Sequence, residues 1–286
     1  ETIYTCYVMD AKRKLEGIIS LRKLVLLDEE CIIGDVMDKD FIATTTIDDQ
    51  EEIATIFKKY DLLSLPVVDK EGRLVGIITI DDIVDVIEQE NTEDFQKMAA
   101  MEPSEEEYLH SGVIALAKRR IPWLLLLMLS ATLTENIIGR FEDVLQAVAL
   151  LAASIPMLMD TGGNAGSQSS TLIIRGIALG EIELGDYLKV LIKELRVSLL
   201  VGTILGLVNF IRMLVITAAG FKIAFTVSVT LVITVVMAKV VGGLLPMIAK
   251  KFKMDPAIMA GPLITTIVDA IALMIYFNIA TVLIGL

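Results

Sequence analysis

The sequence predicts an α-helical integral membrane protein with five transmembrane helices, preceded by an α/β cytoplasmic domain and an acidic connecting helix. Hydrophobic residues make up 55% of the 286 residues, the mean hydropathy is +0.69, and the second half contains apolar runs long enough to cross a bilayer. Charge is divided as well: residues 1–112 hold 27 acidic and 11 basic side chains, and the rest has a net charge of +4. The acidic part also contains an internal repeat.

The repeat has an offset of 59 residues, with residues 8–20 corresponding to residues 67–79. Each copy predicts a strand, a polar turn, a second strand of β-branched residues and then a helix. Between the copies, a run of three threonines leads to a predicted amphipathic helix over residues 49–60. The first copy begins inside a predicted strand, so we expect an N-terminal part to precede it.

The helix after the second copy continues into an acidic segment, residues 88–100, and breaks before Pro103. Several carboxylates fall on one face of it or one to three turns earlier. These are Asp82, Asp85, Glu90, Glu93 and Asp94. Stacked like charges repel unless a cation screens them, so this face is a candidate low-affinity site for divalent cations. A solvated acidic surface is the alternative interpretation.

Composition and motifs exclude several functions. A nucleic-acid partner requires basic patches, which the acidic part lacks. Cys6 and Cys31 have neither zinc-site nor disulfide-framework spacing, and His110 is the only histidine. No enzyme is predicted, because the sequence contains no nucleophile–base pair, HExxH or Walker motif.

The membrane part begins after a basic flank, residues 118–120, and an aromatic anchor, Trp123. The five predicted spans cover residues 121–139, 144–175, 190–218, 223–249 and 257–284. Loop charges agree with this count. The loops after spans two and four carry most of the basic residues, whereas the opposite loops carry only Arg140 and Lys222. The positive-inside rule therefore predicts a cytoplasmic N-terminus and an outside C-terminus.

Asp269 lies in the otherwise apolar run 261–277 of the last span. A charge at the centre of a membrane helix costs roughly 2.5–3.5 kcal/mol, so such residues usually mark an ion or substrate path. Span two is also unusual, because residues 156–170 are mostly small or polar. We expect irregular backbone there, with a turn at 162–164 that lines a water-filled cavity. Close helix packing explains the glycines but not the polar side chains.

Two resemblances follow from these residues. The pattern LPVVD, then GIIT and an Asp three residues later, resembles a CBS domain, so the repeat is similar to a CBS pair whose first module keeps only its C-terminal half. The runs PMLMDTGGNAGSQSS and DPAIMAGPLITTIVD, behind that pair and the acidic helix, resemble the MgtE family of magnesium channels. The domains implied are a half CBS module (1–33), a whole one (34–87), the connecting helix and linker (88–120) and the pore domain (121–286).

The family resemblance implies a homodimer in the plasma membrane, with one Mg²⁺-selective, passively conducting pore lined by spans two and five of both subunits. Mn²⁺, Co²⁺ and Ca²⁺ are further candidate ions. The implied pore residues are Asp160, Gly162, Gly163, Asn164, Thr265 and Asp269, with Asp269 as the selectivity carboxylate. Because Mg²⁺ keeps its waters, paired carboxylates hold it as a hydrated ion.

The same resemblance implies a gate that intracellular Mg²⁺ closes by binding between the CBS modules, the connecting helix and the membrane domain. The implied regulatory residues are Glu51, Asp61, Asp82, Asp85, Glu90, Glu93, Asp94 and Asp255. Relative to the family, this sequence lacks the N-terminal domain and half of a CBS module, so we expect the implied closure to be weaker. In nucleotide-binding CBS modules the positions of Thr79 and Asp82 hold ribose and phosphate, so ATP is a candidate ligand.

Three alternatives remain from the residues themselves. One is a carrier that couples divalent-cation movement to Na⁺ or H⁺. A second is a CBS-regulated membrane receptor or enzyme, and a third is a regulatory CBS module with a membrane anchor. Five spans with polar clusters exceed what anchoring requires.

Overall fold

The computed structural model describes residues 4–285, without the side chains of residues 144 and 147. The chain divides into two units, one up to Thr92 and one from Glu93 onward. The division falls inside a single helix, Ile80–Met98, a few residues after the predicted boundary at residue 87.

The first unit is an α/β domain that confirms the predicted repeat of strand, turn, strand and helix. Its elements are β1 (Thr5–Met9), β2 (Leu15–Ser20), α1 (Leu21–Leu26), α2 (Ile33–Val36), β3 (Thr44–Thr45), α3 (Gln50–Tyr60), β4 (Ser64–Val68), β5 (Leu74–Thr79) and α4 (Ile80–Met98). Strands β1 and β2 form an antiparallel hairpin, and β4 pairs antiparallel with β5 and parallel with β3.

The same aspartate shapes the turn in both copies. Asp10 accepts hydrogen bonds from the backbone N–H groups two and four residues later, at 2.8 Å each. Asp69 does the same at 2.9 Å. This local side-chain geometry turns the chain between paired strands. The predicted amphipathic helix α3 then buries Phe57 against Leu65 and Ile83 to form the core of the unit.

The second unit is helical. Its helices are α5 (Val113–Arg140), α6 (Glu142–Ala147), α7 (Ala149–Ala178), α8 (Tyr187–Val215), α9 (Phe221–Lys251) and α10 (Gly261–Ala280), with 3-10 helices at Leu184–Asp186 and Pro256–Met259 and a π-helical turn at Thr281–Gly285. The core lies between α7, α9 and α10, where Leu158, Val235 and Tyr276 are buried.

Four segments among residues 4–285 are long and apolar enough to cross a membrane: Val113–Arg140, Leu184–Val215, Phe221–Lys251 and Gly261–Gly285. Helix α7 has 30 residues and is therefore about 45 Å long, but its polar run keeps it outside this set. The count of five spans, with residues 144–175 as the second, thus stays a prediction. Helix α5 begins earlier than expected, so the basic residues 118–120 are helical.

The prediction of irregular backbone in residues 156–170 is wrong, and so is the turn at 162–164, because α7 runs through both as a continuous helix. Its glycines serve close packing instead. A Cβ at Gly162 would lie 2.8 Å from Thr234 Cγ2, one at Gly163 would lie 2.9 Å from Thr265 Cγ2, and one at Gly242 on α9 would lie 2.2 Å from the Gly166 carbonyl oxygen. Helical backbone satisfies its own hydrogen bonds, so this arrangement suits a bilayer.

We predict that Gly242→Ala destabilises the protein by about 1–3 kcal/mol or more, because the added methyl meets the backbone of α7. Thermal unfolding of the detergent-purified chain measures this as a lower midpoint. Gly139→Ala on α5 is the matched control, because no atom lies within 4 Å of its added methyl. Equal midpoints for the two variants would contradict the close α7–α9 contact.

Candidate functional site

Helix α7 exposes a polar stripe. Asp160, Asn164 and Gln168 follow one another at intervals of four residues and are all exposed, whereas Gly162, Gly163 and Gly166 are buried. Because residues four apart lie on one helix face, the packed glycines direct the polar side chains away from the core. A polar stripe at membrane depth is expected to face water or another protein surface rather than lipid.

Helix α10 places Asp269 beside that stripe. The Asp269 carboxylate is partly buried and lies within electrostatic range of Asp160. Thr265, one turn earlier on α10, is the residue that a Cβ at Gly163 would meet. The Thr265 hydroxyl donates to the Pro262 carbonyl oxygen at 2.8 Å. The structure therefore brings Asp160, Thr265 and Asp269 together, with the threonine hydroxyl bonded within its own helix.

Gly162 and Gly163 are not exposed, as backbone ligands of an ion would have to be. Both are buried within the continuous helix, packed against α9 and α10. Their backbone carbonyls belong to the helix rather than to a turn. The predicted ion role of these two residues stays a prediction, and the structure gives them a packing role.

A lysine that sequence reasoning missed bridges two of the predicted regulatory carboxylates. Lys97 Nζ donates to Asp255 Oδ2 at 2.5 Å and pairs with Glu93 one turn earlier on α4. Partial burial lowers the pKa of Lys97, but the hydrogen bonds to Asp255 and Glu93 outweigh it and raise the pKa overall. The ammonium therefore stays charged. Its spacing of four residues from Glu93 is the sequence signal that could have identified it.

The same region docks the end of α4 within the helical unit. Met98 packs against Ile174 of α7 and Ala260, the residue before α10. Gly261 has φ +40°, and a Cβ there would lie 2.7 Å from the Met98 carbonyl oxygen. Only glycine fits this combination of a positive φ and a close approach. The connecting helix thus ends in contact with the first residue of α10.

The other predicted regulatory carboxylates lie in the first unit, except Asp94. Gln50 Nε2 donates to Glu90 Oε1 at 2.7 Å. Asp61 ends α3 in a left-handed conformation, and Glu51 lies in the first turn of that helix. Asp85 lies on α4. Within residues 4–285, no group of three or more His, Cys, Asp or Glu side chains is placed to hold a metal ion. The regulatory ion set therefore stays a prediction.

Thr79 and Asp82 are bonded to each other at the start of α4. Asp82 Oδ2 accepts hydrogen bonds from the Thr79 N–H at 3.1 Å and from its hydroxyl at 2.9 Å, which lower the pKa of Asp82. Ser20 holds the corresponding position in the first copy and accepts from the Lys23 N–H at 3.2 Å. Both positions therefore stabilise a helix start. The Asp82 carboxylate can accept hydrogen bonds from ribose hydroxyls, whereas a phosphate needs donors, which Thr79 has.

Residues 155–279 match the family MgtE, described as a divalent cation transporter, and residues 33–89 match the CBS domain. The chain is 41% identical over 284 residues to the magnesium transporter MgtE of Thermus thermophilus, covering 99% of this chain and 62% of that protein. It is 36% identical over 281 residues to the magnesium transporter MgtE of Bacillus subtilis, covering 98% and 62%. The chain thus spans a little under two thirds of these relatives.

Among solved structures, the cytosolic domain of the Mg²⁺ channel MgtE in complex with ATP is 48% identical to this chain where the two align. The alignment covers 30% of this chain and 35% of that one, with a TM-score of 0.29.

Proposed function

Since this chain belongs to the MgtE family, with the transporter domain at residues 155–279 and a CBS domain at residues 33–89, we propose that it conducts Mg²⁺ passively across the membrane. The observation that carries the proposal is the exposed polar stripe of α7 beside the partly buried Asp269 of α10. Carboxylate and amide oxygens hold a hydrated Mg²⁺ through its water shell, and a ring of carboxylates selects cations. Mn²⁺, Co²⁺ and Ca²⁺ are candidate competing ions.

The path requires a second copy of the chain. Asp160, Asn164 and Gln168 are exposed in one subunit, and a homodimer that apposes two such stripes encloses them in a water-filled pore. Two Asp269 carboxylates then meet at the two-fold axis. A single stripe facing lipid would instead leave polar groups without water.

Loop charges support the proposed orientation in the plasma membrane. Lys250 and Lys251 are the last two residues of α9 and Lys253 follows them, whereas Lys222 lies at the opposite end of the same helix, as its second residue. The positive-inside rule then gives a cytoplasmic N-terminus, an outside C-terminus and five spans, with α7 as the second. The sequence-based domains at 1–33, 34–87, 88–120 and 121–286 fit this arrangement.

Intracellular Mg²⁺ is proposed to close the pore by binding carboxylates of the connecting helix and its neighbours. The proposed set is Glu51, Asp61, Asp82, Asp85, Glu90, Glu93, Asp94 and Asp255. Support comes from Lys97, because a cation already lies between Glu93 and Asp255 where α4 meets the residues before α10. Further cations binding there stabilise the docked helix and shift the population toward the closed state.

The relatives' names point to a transporter rather than an enzyme. A carrier driven by Na⁺ or H⁺ is the main alternative, and it differs from a channel in requiring those gradients.

We predict that Asp269→Asn lowers Mg²⁺ flux by at least about tenfold, since neutralising one carboxylate per subunit removes the charge that selects cations. The measurement is Mg²⁺ uptake into liposomes with no other ion gradient. Glu142→Gln on α6, an exposed acid that accepts a hydrogen bond from Gln146, is the matched control. Unchanged flux in Asp269→Asn would make Asp269 a packing residue.

We predict that Asp255→Asn raises the cytoplasmic Mg²⁺ concentration needed for half-inhibition by about threefold or more, because it removes both a proposed ligand and a partner of Lys97. Flux is measured over a range of Mg²⁺ on the cytoplasmic face. Asp186→Asn, which removes a partly exposed carboxylate paired with Lys189, is the control. Identical inhibition curves for Asp255→Asn and wild type would remove Asp255 from the gate.

We propose that Thr79 and Asp82 also bind ATP, and predict that Thr79→Ala and Asp82→Asn each weaken ATP binding to the purified chain by about tenfold. Titration calorimetry measures the affinity, and Ser20→Ala at the corresponding position of the first copy should leave it unchanged. Wild-type chain that binds no ATP, or variants that bind it equally well, would contradict the nucleotide site.

A further inference from the structure

Two opposite charges are buried in the helical unit, and neither has a role in the path described above. Glu194 on α8 is 9% exposed, and Lys239 on α9 is 5% exposed. Both lie within segments apolar enough to cross a membrane. Charged side chains at that depth are costly, and those that persist are usually paired or functional.

Each charge has its polar partner on α7. Ser169 Oγ donates to Glu194 Oε2 at 2.6 Å. Lys239 Nζ donates to Gln168 Oε1 at 3.5 Å. Because Gln168 and Ser169 are consecutive, α8 and α9 hold adjacent residues of α7 with groups of opposite sign.

The two charges also lie in the same layer of the unit. A Cβ at Gly243 would lie 3.0 Å from Glu194 Cγ, so Glu194 reaches α9 one turn beyond Lys239. Among the ion pairs of residues 4–285, none joins Glu194 directly to Lys239. Each charge is therefore bonded to α7 rather than to the other, and the two opposite formal charges sum to zero in this part of the unit.

This arrangement acts on the polar stripe because Gln168 belongs to both. Gln168 is the last of the three exposed polar residues of α7, and it also accepts the Lys239 hydrogen bond. Ser170, two residues later, donates to the Met259 carbonyl oxygen at 2.7 Å, just before α10. The segment 168–170 is thus held by three different elements.

We propose that Glu194 and Lys239 form a charge-balanced clamp that positions the polar stripe of α7 and sets which cations the path admits. The proposal rests on the function proposed above. Loss of the Glu194 charge leaves an uncompensated ammonium behind the stripe, which repels cations. Loss of the Lys239 charge leaves an uncompensated carboxylate, which holds Mg²⁺ more strongly than Na⁺, slows the release of Mg²⁺ and so lowers the ratio of Mg²⁺ to Na⁺ flux. Both are positioning residues, because they act through Gln168 and Ser169.

A charge cycle tests the clamp. Mg²⁺ flux and the ratio of Mg²⁺ to Na⁺ flux are measured in liposomes for Glu194→Gln, Lys239→Met and the double variant. We expect Glu194→Gln to lower Mg²⁺ flux about tenfold and Lys239→Met to lower the Mg²⁺ to Na⁺ ratio, with the double variant restoring both to within about threefold of wild type. Lys239→Arg should retain wild-type selectivity. The clamp would be overturned if both single variants lost Mg²⁺ flux and selectivity in the same way and the double variant lost the sum of the two.

Thermal unfolding of purified wild type, Glu194→Gln, Lys239→Met and the double variant gives a second readout that does not depend on ion flux. The midpoint should fall in each single variant, and the fall in the double variant should be smaller than the sum, because the double variant leaves no unbalanced charge. Lys189→Met, which removes an exposed ammonium paired with Asp186, should change neither the midpoint nor the selectivity. Wild-type protein that carries no Mg²⁺ would contradict the proposed function. Independently of flux, a fall in the midpoint of the double variant equal to the sum of the two single falls would overturn the clamp.

Discussion

The close contact of α7 with α9 and α10 is the constraint on which the proposed path depends. Gly166 places its carbonyl oxygen against Gly242 so closely that no side chain fits between the helices, and Gly162 and Gly163 admit threonines of α9 and α10. A helix packed so tightly on one face must direct its larger polar side chains elsewhere. The position of Asp160, Asn164 and Gln168 is therefore a consequence of where the glycines are.

Charged side chains add to this packing at two places. Inside the helical unit, Glu194 and Lys239 each bind the polar segment of α7. At the end of the connecting helix, Lys97 lies between Glu93 and Asp255, and Met98 contacts the start of α10. The same chemistry, a cation between carboxylates, would then serve both the resident lysine and a regulatory Mg²⁺.

Sequence patterns correctly predicted those features of the fold that depend on interactions between residues close together in the chain. The repeat was predictable because Asp10 and Asp69 fold their own turns, and α3 because its apolar residues share one face. Asp269 stood out because one charge in an apolar run is visible to hydropathy. The backbone of α7 was predicted wrongly, since the low helix propensity of glycine is a weak prior that tertiary packing overrides. Lys97 was missed because its partner Asp255 is 158 residues away. Glu194 and Lys239 were missed because their polar partners, Ser169 and Gln168, lie on a different helix.

The most direct test of the account is whether water reaches the polar stripe of α7 in the membrane. Cysteine would be placed at Asn164 in a chain whose Cys6 and Cys31 are serine, and its reaction with a membrane-impermeant thiol reagent compared with that of cysteine at Leu207, an exposed apolar position of α8. The account predicts that cysteine at 164 reacts, that Mg²⁺ slows its reaction, and that cysteine at 207 does not react. Equal inertness of both positions would place the stripe against lipid or protein and contradict a water-filled path along α7.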